Sequence, residues 1–309
     1  MQLASFFTAL FPLLLYLLAG VLSRRFGLLT DRHRPFLDRA IIYVFLPALI
    51  FAVVHGSVFS ADLLKIPLVG WVAMVLSTLA AWLLTRVVWT GEQKGSFILT
   101  SAVGNTGYFG YPLALALFGQ AGFVGALFYD LLASVPFIFT VGILIAGVYS
   151  NKKKSTNAVR EVLTFPPFLA LVGAYGSNWA ASAGVFELPR LFLRGLSGLG
   201  ELAIPLIIIS IGVSLRATAV RRFAYPILLV CSVKLVFSPL VACLIGFSLL
   251  DRAAVGVVVL EASMPTFMLS MVIGSRYDLD SSFIGSAILV TTVLSLVTVP
   301  VWLLLVGFL

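Results

Sequence analysis

Residues 102–112 read AVGNTGYFGYP, from Ala102 to Pro112. Three glycines, an asparagine and a proline interrupt a segment otherwise apolar enough to lie in lipid. Glycine and proline weaken the backbone hydrogen bonding of a helix, and that cost is tolerated at membrane depth only where the freed groups face protein or water. The stretch therefore reads as a break in a membrane-spanning helix.

The surrounding composition fits this setting. Of 309 residues, 61% are hydrophobic and only 10% are charged, which leaves no ordinary polar surface and points to an all-α polytopic membrane protein. Apolar runs of about 20 residues, the length that crosses a hydrocarbon core, occur ten times. They cover 4–23, 35–54, 66–88, 95–118, 121–149, 161–178, 194–214, 223–249, 253–274 and 282–308. The first has its basic residues, Arg24 and Arg25, after the apolar stretch, so it reads as a retained helix and not as a signal peptide.

Ten helices with the N-terminus outside place most cations in cytoplasmic loops. These are Arg24, Arg25, Arg32, Arg34, Arg39, Arg86, Lys94, Lys152, Lys153, Lys154, Arg160, Arg216, Arg221, Arg222 and Arg276. Only Lys65, Arg190, Arg194 and Arg252 fall outside, and Lys234 lies within a helix. This asymmetry predicts an N-out, C-out protein of the plasma (inner) membrane. It also accounts for the net charge of +8 as a skirt facing anionic lipid, so no nucleic-acid partner is expected. Cys231 and Cys243 are twelve residues apart in one apolar segment, about 18 Å along a helix, too far to pair. His33 and His55 are isolated, and neither a metal nor a cofactor is expected.

The two halves overlay at an offset of 160 residues. GFVGALF at 122–128 falls on SFIGSAI at 282–288, and Asn105 falls on Pro265 in a second interruption, EASMPTF. Pro47 and Pro205 occupy similar contexts earlier in each half. Five helices per half is an odd number, so the second half enters the membrane from the opposite side. The expected organisation is two inverted five-helix repeats, residues 1–149 and 161–309, joined by a cytoplasmic loop at 150–160, with helices 4 and 9 broken and crossing.

A break over Gly104, Asn105, Thr106 and Gly107 exposes N–H groups and the positive end of a half-helix dipole at the membrane centre. Pro265, followed by Thr266, is expected to do the same at the first position of the second half of helix 9. Two such ends together suit a carboxylate, while the carbonyl ends of the preceding half-helices suit a cation. Ionisable residues near the midplane are Asp130, Lys234 and Glu261, each costing roughly 2.5 to 3.5 kcal/mol on insertion scales, so each needs a purpose or a partner. Glu261, one turn before Pro265, is the candidate for the coupling-ion carboxylate. Asp130 serves either as an ion pair with Lys234 or in proton transfer. Tyr108, Phe109 and Tyr111 are expected to pack against lipid or neighbouring helices.

The run Asn105, Thr106, Gly110, Pro112, Leu113, Phe118 and Gly119, NTxxxGxPLxxxxFG, resembles the crossover motif of the auxin efflux carrier family. Ala262, Pro265, Tyr277 and Pro300 agree more loosely in the second half. The resemblance implies a ten-helix carrier with a fold of the bile-acid/sodium symporter type. Helices 1, 2, 6 and 7 would then form a scaffold, and helices 3–5 and 8–10 a mobile core. It further implies transport of organic anions, auxin in plants and small carboxylates such as malate or malonate in bacteria, with Asn105 and Pro265 bordering the substrate. The central loop, NKKKSTN and its neighbours, is short, and Glu261 resembles the carboxylate of sodium-coupled symporters.

The expected function is thus secondary active transport of a small organic anion, coupled to Na⁺ or H⁺ by an elevator-like movement. The expected partners are that anion and membrane lipid, with a homodimer open. The alternative is a cation/proton antiporter served by Glu261 and Asp130 without an organic substrate. Tyr129-Asp130 superficially resembles intramembrane aspartyl proteases, but no GxGD setting supplies the second aspartate that such an enzyme needs. There is no Walker motif to support ATP-driven pumping.

Overall fold

The computed structural model describes residues 3–30, 32–55, 60–85, 91–150, 160, 163–214 and 220–308. Arg86, Lys152, Lys153, Lys154, Arg216 and most of the 150–160 loop lie outside these residues. Regular structure among the described residues is helical, apart from one isolated antiparallel bridge between Gly104 and Thr266. Among the described residues, six helical runs are long and apolar enough to cross a membrane: Pro35–Val54, Ala61–Leu84, Thr106–Tyr149, Arg190–Val213, Val220–Leu249 and Ser281–Leu305.

The helices in chain order are α1 (Leu3–Arg25), α2 (Arg34–Ala40), α3 (Leu46–Val54), α4 (Lys65–Leu84), α5 (Gly91–Ala102) and α6 (Tyr111–Tyr129). Then come α7 (Val135–Phe137), α8 (Ile143–Tyr149), α9 (Pro166–Ser182), α10 (Arg190–Glu201) and α11 (Ala203–Ser214). The last five are α12 (Ala224–Cys231), α13 (Ser238–Leu249), α14 (Arg252–Ala262), α15 (Leu269–Arg276) and α16 (Ser281–Leu305).

The run Thr106–Tyr149 has 44 residues. As a straight helix it would extend about 66 Å, twice a hydrocarbon layer of about 30 Å. At Gly119 the backbone leaves helical geometry with φ 66° and ψ −159°, a conformation open to glycine and closed to residues with a Cβ. The glycine that ends the sequence motif thus turns the chain.

The described residues contain five turns of π-helix, and a proline follows four of them two residues after the turn ends; the fifth, Ile138–Gly142, has none after it. Ile41–Phe45 precedes Pro47, Thr106–Gly110 precedes Pro112, Asp130–Ser134 precedes Pro136, and Ser232–Phe237 precedes Pro239. A proline ring collides with the carbonyl four residues earlier, here Tyr43, Tyr108, Leu132 and Leu235, all inside the π turns. Widening that turn by one residue relieves the collision without ending the helix. Thr106, Gly107, Gly110, Asp130 and Lys234 all belong to these widened turns.

One packed group comprises α1 along α11 and α3 against α9 and α10. A close crossing in it brings Gly20 against Gly212, where a Cβ on Gly20 would be 2.9 Å from the Gly212 Cα. Small residues allow such a crossing where apolar burial supplies no drive between helices in lipid. A second group packs α4 against α5, α6 and α13, and α14 against α6, α13 and α16. The first group meets the second through α6 and the turn Thr106–Gly110.

Candidate functional site

Two interruptions meet in the second group. Helix α5 stops at Ala102, the chain runs extended through 103–105, and helical geometry resumes with the widened turn at Thr106, which passes directly into α6 at Tyr111. Asn105 is the residue that caps this second half, and its carbonyl accepts from the N–H groups of Phe109 (3.0 Å) and Gly110 (3.4 Å). Pro112 follows in the first turn of α6, and the widened turn ahead of it makes room for its ring. Helix α14 stops at Ala262, and the chain stays non-helical until Leu269. Pro265 therefore does not begin the second half-helix, as the sequence led us to expect; it lies inside the extended segment.

The reason is that the two extended segments hydrogen-bond to each other. The Asn105 N–H donates to the Pro265 carbonyl (2.7 Å), and the Phe267 N–H donates to the Val103 carbonyl (3.0 Å). Thr266 reinforces the crossing: its hydroxyl donates to the Thr100 carbonyl (2.9 Å) and its N–H to the Thr291 hydroxyl (3.1 Å). Backbone groups of Thr100, Val103, Asn105, Pro265, Thr266 and Phe267 are thereby satisfied inside the protein, as the surrounding hydrocarbon requires. Asn105 and Pro265, which the offset of 160 residues superimposes, are direct partners.

Asp130 is buried beneath the first break. Its carboxylate accepts from the Thr106 hydroxyl and from the Tyr111 hydroxyl (2.6 Å), and a Cβ on Gly107 would lie 3.3 Å from Oδ2. The ion pair with Lys234 that the sequence allowed is not formed. The Lys234 ammonium donates instead to the Ala262 carbonyl (2.7 Å), with the Ser238 hydroxyl at 3.4 Å. Lys234 thus caps the carbonyl end of α14, where a cation opposes the negative end of the helix dipole. Tyr111, assigned from sequence to packing, is an interior hydrogen-bond donor to Asp130; nineteen residues separate the two, a spacing that no helical periodicity exposes.

Glu261 is 0% exposed, and both of its carboxylate oxygens lack a hydrogen-bond partner. It sits against the main chain of Gly110, at the place a side chain on that residue would fill. Asn105 Oδ1 and the hydroxyls of Ser101, Ser134 and Ser270 are also buried without partners, all on segments leading into or out of the crossing or its Asp130 turn. Buried polar groups are usually paired, so this concentration of open valences marks a place for a ligand, an ion or a proton. Beside it, an apolar cleft lined by Leu13, Leu17, Phe109, Leu113, Ile208 and Met264 separates α1 and α11 from the crossing.

Replacing Asp130 by alanine strips two buried hydroxyls of their acceptor. The expected loss is about 1–3 kcal/mol of stability, from a range of roughly 1–3 kcal/mol per unsatisfied group in water and about 0.6 kcal/mol per hydrogen bond in membrane helices. Asp130→Asn, which keeps one acceptor, should lose about half as much. Thermal unfolding in detergent measures both; an unchanged midpoint for Asp130→Ala would show that the two hydroxyls find other partners.

A family model described as a membrane transport protein matches residues 5–164 and 155–303, nearly the whole chain. The chain belongs to this family. It is the auxin efflux carrier family that the motif from Asn105 to Gly119 resembles. The chain is 33% identical over 295 residues to an uncharacterized transporter of Methanothermobacter thermautotrophicus, covering 94% of each protein. It is 29% identical over 303 residues to an uncharacterized transporter of Methanocaldococcus jannaschii, covering 94% of this chain and 95% of the relative. A Rhizobium meliloti protein named "Putative malonate transporter" is 29% identical over 276 residues, covering 85% of this chain and 84% of that one. With its apolar helices, this membrane transport protein is a multi-pass membrane protein.

Proposed function

We propose that the protein is a secondary transporter of a small organic anion bearing a carboxylate, such as malate, malonate or an auxin-like acid, driven by Na⁺ or H⁺. The observation that carries this reading is the set of unpartnered polar side chains, Ser101, Asn105, Glu261 and Ser270, gathered where two broken helices cross. The N-terminal ends of the half-helices that begin at Thr106 and Leu269 present N–H groups and positive dipole ends for the anion. Glu261 supplies the negative charge that a coupling cation or proton neutralises. The adjoining apolar cleft gives the body of an organic acid a surface to lie on.

Ten spans in two inverted repeats, with both termini outside the plasma membrane, complete the proposal. The antiparallel pairing of 103–105 with 265–267 about Gly104 and Thr266 supports it, because segments related by a two-fold axis meet in this way. Alternating access then comes from movement of the group around α6 against the group around α1 and α11. Their limited contact, through α6 and the turn Thr106–Gly110, and the apolar cleft between them favour such sliding.

The decisive experiment is uptake of a panel of labelled carboxylates into proteoliposomes with imposed sodium and pH gradients. Saturable, gradient-dependent uptake of one acid is expected, whereas Na⁺/H⁺ exchange in the absence of any acid would establish an antiporter instead. In the same assay Asn105→Ala should weaken apparent affinity about 2- to 12-fold, the worth of one hydrogen bond of roughly 0.5–1.5 kcal/mol. An unaltered affinity would reduce Asn105 to a backbone partner of Pro265.

A further inference from the structure

Lys234 is buried to 1% exposure at the second break, and the functional reading above gives it no role in binding or coupling. Its ammonium is 2.7 Å from the Ala262 carbonyl, the last of α14, and 3.4 Å from the Ser238 hydroxyl. The same ammonium lies 3.1 Å, and its Cε 3.0 Å, from the point a Cβ on Gly104 would occupy; the Met264 carbonyl oxygen is 3.2 Å from that point. A lysine reaching from the turn Ser232–Phe237 of a neighbouring passage therefore fills the gap between the two extended segments from the carbonyl side. The absence of a side chain on Gly104 leaves it room.

The carbonyl end of a half-helix at membrane depth is where a free cation would be drawn, because exposed carbonyl oxygens and the negative dipole end converge there. An ammonium bonded to the terminal carbonyl answers both with a positive charge that cannot dissociate. It also excludes sodium from the same oxygens, by volume and by like charge.

We propose that Lys234 is the resident cation of the crossing, so that the carrier has no sodium site there and its coupling ion is a proton held at Glu261. This deepens the transport reading and rests on it for the role of Glu261. The titratable groups facing Glu261 are Asp130, Tyr111 and Tyr129 of the first half and Lys234 of the second. Asp130 is committed to two hydroxyl donors and Lys234 to Ala262, whereas Glu261 has no bonded partner. Glu261 is thus the group whose proton can leave and return without breaking a hydrogen bond.

The test is thermal unfolding of the purified full chain in detergent, in sodium chloride against choline chloride at equal ionic strength, with no organic acid present. Wild-type protein is expected to show no sodium-specific shift; a clear stabilisation by sodium would overturn the proposal. Lys234→Gln, which empties the carbonyl end of its charge, is expected to unfold several degrees lower and to regain part of that loss in sodium. A folded Lys234→Gln protein indifferent to sodium would equally overturn it, and if the variant yields no folded protein the wild-type comparison decides. Because no substrate is involved, an outcome against resident-cation binding is separable from failure of the carboxylate panel.

Discussion

Glu261→Gln is expected to abolish gradient-driven uptake while the protein still folds. Glutamine has the shape and volume of glutamate, so the contact with Gly110 and the packing of the last turn of α14 are preserved. No hydrogen bond is lost, because neither oxygen of Glu261 makes one. Burying a neutral amide also costs less than burying an unpaired charge, so the unfolding midpoint should stay unchanged or rise. What disappears is a group able to acquire and release a positive partner, and with it the link between the ion gradient and the anion. Counterflow, which needs no gradient, should survive in the variant. Unchanged gradient-dependent uptake would remove Glu261 from the mechanism altogether.

A second large effect is expected from Gly110→Val. Any Cβ on Gly110 falls on the Glu261 carboxylate, and both residues are held in buried main chain at the crossing. Overpacking of this kind costs typically about 1–3 kcal/mol, and a β-branched residue inside the widened turn ahead of Pro112 adds its own restriction. Loss of folded protein, or of nearly all transport, is the expected outcome. Glu261→Ala in the same chain removes the colliding carboxylate and should recover most of the lost stability, although not coupled uptake. Single and double variants compared by thermal unfolding form a cycle whose non-additivity measures the contact. Simple additivity would place the damage elsewhere, in the turn itself.

Much of the crossing was legible beforehand. Glycine, asparagine and proline in lipid-soluble surroundings marked both interruptions, and the offset between the halves put Asn105 opposite Pro265 before any geometry was known. The extent of the second interruption was not legible. A proline after an apolar run reads as a helix start, but the chain stays extended to Phe267 because Thr266 and Phe267 bond across the crossing instead of along their own helix. Of the two readings of Asp130, the ion pair with Lys234 is absent for a different reason. Looking for opposite charges overlooked the hydroxyls of Thr106 and Tyr111 and the carbonyl of Ala262, which satisfy the same two groups without an ion pair. The widened turns are invisible to hydropathy, since they change neither composition nor apolarity; prolines two residues after four of the five leave a trace in the sequence.

The bridge at Gly104 and Thr266 is made from main chain, so apart from excluding proline and keeping room for Lys234 at Gly104 it does not prescribe which side chains surround it. This joint can be inherited unaltered while its neighbours drift, leaving the surrounding side chains free to diversify. Substitution scans judged by residue identity will therefore understate its importance. The informative change is Phe267→Pro, which deletes one N–H and unfastens one side of the joint without touching the ionisable residues.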